Sequence, residues 1–287
     1  MRLVSYMDEG EETLGIVDTE GLAASARSLG PGLPATMDAL LRGGHAALDR
    51  LRSVGPNTDM GRPWQELDLL PPVPRPRNIV CVGRNYRDHA DEEGAEPPAR
   101  PELFLKHTSS VLAHGRPIAW DPGLTAQVDY EAELAAVIGA PARRVPVEKA
   151  LSYVIGYTCL NDVSARDLQF SDLQWARGKS LETFCPLGPW LVTYDEVADP
   201  QALMVRCRVD GELRQEASTA DMYYSVQQVI AYCSQAFTLL PGDVVATGTP
   251  GGVGVFREPP AMLTAGQRVV VEIDGIGRLE NPCVHAG

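Results

Sequence analysis

Apolar and polar positions follow two different patterns along the first seventy residues. Short apolar runs at 2–6 and 13–17 predict two strands around an acidic turn at 8–12. Apolar or small residues then recur every three or four positions, a spacing that predicts an amphipathic helix, at Met37, Leu40, Leu41, Gly44, Leu48 and Leu51. A proline-rich stretch at 70–76 follows and is typical of a stiff linker. We therefore expect a small N-terminal α/β domain over residues 1–73.

The rest of the chain, residues 74–287, consists of short β-like runs separated by turns. The runs lie at 78–82, 102–106, 133–138, 154–160, 191–193, 204–209, 244–247, 268–273 and 277–281. Helices are predicted at 164–176 and from Ser225, which forms a capping-box pattern with Gln228. The apolar face of the second helix consists of Val226, Val229, Ile230, Cys233 and Phe237. Many strands with few helices favour a mostly-β (α+β) fold, a sandwich or a barrel-like roll, over a doubly wound sheet.

The composition limits the functions open to such a chain. Its 287 residues carry a formal net charge of −13, so no basic surface for nucleic acid is expected. Apolar runs fall short of the roughly 20 residues of a membrane helix, and the N-terminal segment does not resemble a signal peptide. The six cysteines form no CxxC pair, which favours free buried thiols. We expect a cytoplasmic protein that binds neither nucleic acid nor membranes.

Candidate metal chemistry begins with segment 129–139, which reads DYEAELAAVIG. If this segment forms a strand, Glu131 and Glu133 lie two residues apart and point to the same face. Like charges side by side on a strand are destabilising unless something neutralises them. The pair therefore predicts either a divalent-cation site or an exposed edge whose carboxylates face water.

A further carboxylate favours the cation site. Asp162 follows the predicted strand 154–160, where the chain turns into the predicted helix 164–176. Ser164 is expected to cap that helix, and the alternative role of Asp162 is to assist the cap. Two glutamates and an aspartate with no histidine or cysteine nearby make an all-oxygen donor set, which suits Mg²⁺, Mn²⁺ or Ca²⁺ rather than zinc. Three protein ligands leave positions for water and a chelating substrate.

Candidate acid–base residues occur in segment 83–92. If residues 88–93 form a helical turn, His89 and Glu92 lie at i and i+3 on one face. Glu92 could then orient His89 for general acid–base catalysis. The alternative is an inert surface histidine among acidic residues.

Two polar, turn-rich segments complete the candidate chemistry. One contains Lys179 between Gly178 and Ser180, and the other is the glycine-rich bend at 247–254. The bend is not a phosphate loop, because no lysine follows its glycines. It can present backbone N–H groups and the Thr249 hydroxyl to a carboxylate, or it is an ordinary turn.

Taken in order, six segments resemble the fumarylacetoacetate hydrolase superfamily from about residue 78 to 284. They read GRNYRDHADE, DYEAELAAVIG, NDVSARDLQ, GKSLETFCPLGP, PGDVVATGTPGGVG and IDGIGRLENPC. Each segment alone is a weak signal, whereas the ordered set is specific. The resemblance implies a twisted β-roll catalytic domain over residues 74–287, usually a homodimer, behind the small N-terminal domain.

The resemblance also implies roles for individual residues. The implied ligands of Mg²⁺ or Mn²⁺, or of Ca²⁺ in a crystal, are Glu131, Glu133 and Asp162. The implied catalytic residues are His89 and Glu92, on a flexible lid segment, and Lys179 beside the metal. The implied substrate-binding residues, which contact carboxylate or keto oxygens, are Arg166, Gln169 and Thr249.

By this resemblance, the chain is a metal-dependent enzyme acting on 2-oxo or 2-hydroxydienoic acids. The expected reaction is isomerisation of 2-hydroxyhepta-2,4-diene-1,7-dioate or C–C hydrolysis of an acylpyruvate such as fumarylpyruvate, as in aromatic catabolism. Oxaloacetate tautomerase or decarboxylase activity is the alternative. A non-catalytic β-domain that binds small acids is a more distant one. The motifs do not separate these reactions, because all the reactions of such an enzyme would use stabilisation of charge at the 2-oxygen.

Overall fold

Strands dominate the structure. The computed structural model describes residues 1–55 and 61–286. Its strands are β1 (Arg2–Asp8), β2 (Glu11–Val17), β3 (Leu22–Ser25), β4 (Arg62–Pro63), β5 (Asp68–Leu70), β6 (Ile79–Gly83), β7 (Glu102–Lys106), β8 (Val111–Leu112), β9 (Ile118–Trp120), β10 (Val128–Asp129), β11 (Ala132–Ile138), β12 (Val154–Asn161), β13 (Ser164–Ala165), β14 (Cys185–Thr193), β15 (Met204–Val209), β16 (Glu212–Ser218), β17 (Val244–Ala246), β18 (Arg268–Ile273) and β19 (Gly277–His285). Its α-helices are α1 (Met37–Val54), α2 (Arg87–Glu93), α3 (Arg166–Ser171) and α4 (Val226–Ala236). The mostly-β prediction is confirmed.

One long sheet runs through the described part of the chain. Its order is β4-β3-β2-β1-β14-β12-β11-β17-β6-β7, with β5 paired to β1 and β8 to β14. A second sheet, β16-β15-β18-β19-β9, packs against one face of the first through a shared apolar core. Helix α1 covers part of the other face, where it contributes Leu40 and Leu48 to a second core. Strand β11 therefore lies inside the molecule.

Burial on both faces explains why β11 is a continuous apolar run. Leu134 and Ala136 belong to the core between the two sheets, whereas Ala135 and Val137 belong to the core beneath α1. Alternate side chains of a strand point to opposite faces, so a strand covered on both sides needs apolar residues at every position. The charged residue Glu133 is thus placed inside the protein by its own strand.

The N-terminal strands join the same sheet as the later ones. Strands β1 and β2 form a hairpin whose turn residues Glu9 and Gly10 both have positive φ, as tight two-residue hairpin turns require. Strand β1 then pairs with β14 through Arg2–Val192 and Leu3–Leu191. The sheet therefore crosses the predicted division at residue 73, and that division stays a prediction.

The helix expected over 164–176 is much shorter than predicted. Ser164 and Ala165 form β13, which pairs with β10, and the helix covers only Arg166–Ser171. The Ser164 hydroxyl donates to the Asp162 carbonyl at 2.9 Å instead of capping the helix. Strand pairing takes Ser164 and Ala165, so tertiary structure overrides the helical pattern at its start, and at the other end the backbone of Asp172 is already extended.

The helix predicted from Ser225 is confirmed as α4. Ser225 is its N-cap and forms the capping box with Gln228. Val229 and Cys233 are fully buried as predicted. Phe237 is 38% exposed, because the helix ends before it.

All six cysteines are free and buried, as expected. No helix in the described ranges combines the length and apolarity needed to cross a bilayer.

We expect Leu40→Ala to destabilise the protein by about 2–5 kcal/mol, because it empties part of the core that α1 shares with β11. This core joins residues on both sides of residue 73, so urea unfolding followed by circular dichroism should show one transition. Arg50→Ala, on the exposed face of α1, is the control and should change the free energy of unfolding by less than about 0.5 kcal/mol. Two separate transitions, only one of them shifted, would contradict this expectation.

Candidate active site

Three acidic side chains converge where β11 begins and β12 ends. One carboxylate oxygen from each of Glu131, Glu133 and Asp162 lies within 4.8 Å of the others, and all three residues are buried. Pairing of Ala132 with Asn161 places the two strand ends side by side. The Glu131 N–H donates to the Asn161 side chain at 3.0 Å, and the Asp162 N–H donates to the Glu131 carbonyl at 2.9 Å. Strand register therefore gathers the three carboxylates predicted from the sequence.

Two buried cations hold the Glu131 carboxylate. Arg166 Nη1 lies 2.7 Å from Glu131 Oε1, and Lys179 Nζ lies 2.6 Å from Glu131 Oε2. Lys179 Nζ also lies 3.1 Å from Asp162 Oδ2. Burial alone would raise the pKa of Glu131, but Lys179 and Arg166 outweigh burial and lower that pKa to about 2. Glu131 is therefore ionised at neutral pH.

Glu133 has the opposite electrostatic environment. Its carboxylate accepts the Gly248 N–H at 2.8 Å, and the residue is 1% exposed. Burial, followed by the negative charges of Asp162 and Glu131, raises the pKa of Glu133 well above its ordinary value. This carboxyl group therefore experiences a repulsion that added positive charge would relieve.

The donor set fits a hard divalent cation. The cluster of Glu131, Glu133 and Asp162 offers only carboxylate oxygens, which Mg²⁺, Mn²⁺ and Ca²⁺ prefer and which are a poor match for softer metals. Burial and then the charges of Asp162 and Glu131 raise the pKa of Glu133, and a bound cation would lower it. These three residues are the ones in this region that could hold such an ion.

His89 and Glu92 face each other on α2, whose bounds confirm the helical turn predicted over 88–93. His89 Nδ1 lies 2.7 Å from Glu92 Oε1, and Glu92 Oε2 accepts the Gly252 N–H at 2.7 Å. Because Nδ1 faces the carboxylate, Nε2 is the ring nitrogen left for a ligand. His89 is only 5% exposed and lines the same cleft as Glu131 and Glu133, so it is not a surface histidine. Its acid–base role stays a prediction.

Two of the three guanidinium nitrogens of Arg166 have hydrogen-bond partners, and the third has none among the described residues. Its Nε donates to Asp129 Oδ2 at 2.9 Å, and its Nη1 donates to Gln169 Oε1 at 3.0 Å. Its buried Nη2 has no hydrogen-bond partner among the described residues. Because a buried charged donor without a partner is costly, Nη2 is suited to an anionic ligand in the cleft.

The cleft contains most of the predicted site residues. Its cavity volume is about 20 Å³, and its lining includes His89, Glu131, Glu133, Arg166, Gln169, Lys179 and Thr249. The Thr249 hydroxyl donates to the Ala132 carbonyl at 3.0 Å and accepts from Gln215 Nε2 at 2.8 Å. Thr249 thus ties the glycine-rich bend to β11, and its contact with substrate stays a prediction.

Three buried polar residues of the site have no role in the sequence analysis. Asp129 anchors Arg166, Gln215 links Thr249 to the second sheet, and Lys106 Nζ lies 2.5 Å from Asp162 Oδ1. Asp129 begins the segment 129–139, and Lys106 is a charged residue at the end of the apolar run 102–106. Each position is therefore a weak sequence signal of a role in the site. Gln215 left none, because it comes from a strand of the other sheet.

Comparison with known proteins identifies the family. The fumarylacetoacetate (FAA) hydrolase C-terminal family matches residues 78–284. The chain belongs to this superfamily, as the ordered motifs indicated, and it has the superfamily's fold and is an enzyme of it. The non-catalytic alternative is therefore set aside.

Individual relatives differ in their named reactions. The chain is 41% identical to the mitochondrial oxaloacetate tautomerase of Xenopus laevis, over 99% of this chain and 90% of the relative. It is 44% identical to an oxaloacetate tautomerase of Bacillus subtilis, over 79% of this chain and 77% of the relative.

Solved structures show the same architecture. One is a 2-hydroxyhepta-2,4-diene-1,7-dioate isomerase from Mycobacterium marinum, with a TM-score of 0.77, 33% identity and coverage of 100% of this chain and 99% of that one. Another is a maleylpyruvate hydrolase from Sphingobium in complex with manganese(II) and pyruvate, with a TM-score of 0.82, 31% identity and full coverage of both chains.

We expect Glu133→Gln to stabilise the metal-free protein at pH 8 by about 1 kcal/mol or more, because it removes a carboxyl group whose ionised form is disfavoured by burial and then by the charges of Asp162 and Glu131. The pKa of Glu133 is raised on folding, so the wild-type protein loses stability as pH rises above the ordinary pKa of a glutamate. The gain should therefore grow between pH 5 and pH 8. Thermal unfolding in a chelator measures it, with the exposed Glu148→Gln as control. A gain that shrinks with rising pH would refute the electrostatic argument.

Proposed function

We propose that the protein catalyses the keto–enol tautomerisation of oxaloacetate with the help of a divalent cation. The relatives named as oxaloacetate tautomerases carry this proposal, because they are 41% and 44% identical to the chain. The structures named as isomerase and hydrolase are 33% and 31% identical. Similarity therefore supports the alternative of the sequence analysis better than the isomerase and C–C hydrolase reactions placed first there.

In this proposal Glu131, Glu133 and Asp162 hold Mg²⁺ or Mn²⁺. The cation, when bound, supplies a Lewis acid for the 2-oxo group. The manganese(II) in the maleylpyruvate hydrolase structure supports a divalent cation, and the all-oxygen donor set supports either of the two metals.

Arg166 and Gln169 bind the substrate's carboxylate and keto oxygens. Asp129 fixes the guanidinium of Arg166 and is itself held by the N–H groups of Gly254 and Val255, at 2.8 and 3.0 Å. Nη2 of Arg166 is thereby left to donate to a carboxylate. Gln169 presents Oε1 to Arg166, so its amide nitrogen remains as a donor for the substrate.

His89 transfers a proton between C3 of the substrate and its own Nε2. When Nδ1–H donates to Glu92, Nε2 is basic and accepts a proton from C3 of oxaloacetate. The C3–H electron pair becomes the C2–C3 double bond while the C2–O π pair moves to the 2-oxygen, which takes a proton from water to complete the enol. The imidazolium then releases its proton to water, so no net proton is gained or lost. In the reverse direction Nε2 returns its proton to C3. Glu92, whose second oxygen is held by Gly252, stabilises the imidazolium formed between these steps.

Lys179 opposes the negative charge that develops on the 2-oxygen. Burial would lower its pKa, but Asp162 and Glu131 outweigh burial and raise it, so the side chain is an ammonium at neutral pH. An ammonium held in place before reaction stabilises developing charge without reorganisation.

Other properties stay predictions. Homodimer assembly, a cytoplasmic location and a place in aromatic catabolism follow from the family resemblance and composition alone, and the Xenopus relative is named as mitochondrial. A small 2-oxo acid as the substrate agrees with the names of the tautomerase relatives.

A substrate comparison tests the proposed reaction. Oxaloacetate, an acylpyruvate and 2-hydroxyhepta-2,4-diene-1,7-dioate are each offered with Mg²⁺ or Mn²⁺, and the enol and keto forms are followed by ultraviolet absorbance. We expect metal-dependent equilibration of oxaloacetate with the highest kcat/KM. Faster C–C cleavage of the acylpyruvate would instead indicate a hydrolase, and release of pyruvate from oxaloacetate would indicate a decarboxylase.

We expect His89→Gln to slow tautomerisation by about 10²–10⁴-fold, the usual loss for a general base. Mn²⁺ affinity should stay unchanged, because His89 is not among the proposed ligands. His285→Gln, which changes an exposed histidine, is the control and should behave like wild type. Wild-type turnover in His89→Gln would rule out the proton transfer described above.

A further inference from the structure

Lysine is rare in this chain and concentrated at the site. The sequence contains only Lys106, Lys149 and Lys179, while arginine supplies the other 22 of its 25 basic residues. Lys149 is exposed, whereas Lys106 and Lys179 are 3% and 1% exposed. Lys179 has a place in the proposed mechanism. Lys106 has none, although burying an ammonium group is costly unless its partners hold it well.

The Lys106 ammonium group satisfies three acceptors at once. Its Nζ lies 2.5 Å from Asp162 Oδ1 and 3.1 Å from the Val163 carbonyl, and it also donates to the Lys179 carbonyl. An ammonium has three N–H donors, so these contacts use all of them. Lys106 therefore has no free proton for a substrate, and its part in the site is to hold other groups in place.

These contacts join three separate segments of the site. Lys106 ends β7, Asp162 follows β12, and Lys179 lies in the turn before β14. With Oδ1 of Asp162 bound to Lys106, Oδ2 is the oxygen that Lys179 Nζ reaches at 3.1 Å. The contact with the Lys179 carbonyl fixes the backbone from which that side chain extends.

We propose that Lys106 is a positioning residue for the cation site: it orients the Asp162 carboxylate toward Glu131 and Glu133 and fixes the backbone of Lys179. The inference rests on the proposed function, in which these three carboxylates hold a divalent cation. Outer-shell partners of this kind commonly contribute about 10–100-fold to metal affinity.

Lys106 could act as a positive charge or as a positioning group, and the two roles predict opposite changes in cation affinity when Lys106 is removed. If Lys106 were only a positive charge beside the cluster, its loss would make the site more negative and tighten cation binding. If Lys106 orients Asp162, its loss frees the carboxylate to turn and weakens cation binding. The sign of the change in Kd therefore distinguishes the two roles.

Mn²⁺ binding to the whole protein, followed by the electron paramagnetic resonance signal of free Mn²⁺, provides the test. We expect Lys106→Met to raise the Kd for Mn²⁺ at least about tenfold. Lys149→Met removes the same charge from the surface and should leave the Kd unchanged. Thermal unfolding without metal shows whether each variant is folded. Lys106→Gln keeps two N–H donors, and we expect it to fold if Lys106→Met does not and to bind Mn²⁺ more weakly than wild type.

Each outcome has one meaning. A Kd equal to or lower than that of wild type in a folded Lys106 variant overturns the positioning role and leaves the proposed function intact. Absence of Mn²⁺ binding by the wild-type protein overturns the proposed cation site itself. A raised Kd in a Lys106 variant, with wild-type affinity in Lys149→Met, supports the inference.

Discussion

Burial of charge where β11 meets β12 is the constraint on which the rest of this structure depends. Four carboxylates, each at most 4% exposed, share this space and belong to Asp129, Glu131, Glu133 and Asp162. The cations that face them belong to Lys106, Arg166 and Lys179. Buried ions are tolerated only when geometry and hydrogen bonds compensate for lost hydration. With one more carboxylate than cation, the arrangement is suited to an added positive ion and an anionic substrate together.

The fold meets this constraint by attaching the charges to rigid elements. The carboxylates lie at the ends of paired strands, and His89 and Glu92 lie on a helix that is held near both ends. Arg84 binds Glu93 of α2, and the Asn85 side chain donates to the Tyr224 carbonyl at 2.9 Å. The Tyr224 hydroxyl in turn donates to the Pro98 carbonyl at 2.6 Å. Tyr224 thus fixes the chain both before and after α2. These contacts keep His89 facing the acidic cluster.

Predictions from local sequence patterns are confirmed where neighbouring residues alone set the structure. The apolar run of β11, the capping box of α4 and the i, i+3 pair of His89 and Glu92 are each set by neighbours in the sequence, and each is found as predicted. Prediction failed where distant strands compete. The helix predicted at 164–176 starts late because Ser164 pairs with a residue of β10, and Phe237 is exposed because α4 ends before it.

The sequence by itself determined the family, the mostly-β fold and the residues that make up the acidic cluster, because the chemistry of paired carboxylates is visible in spacing and order. Only the tertiary structure decided how those charges are balanced. Lys106, Asp129 and Gln215 reach the site from separate strands, and contacts between strands far apart in sequence leave no periodic signal. The unequal environments of Glu131 and Glu133 have the same origin, because each depends on which distant cations approach it.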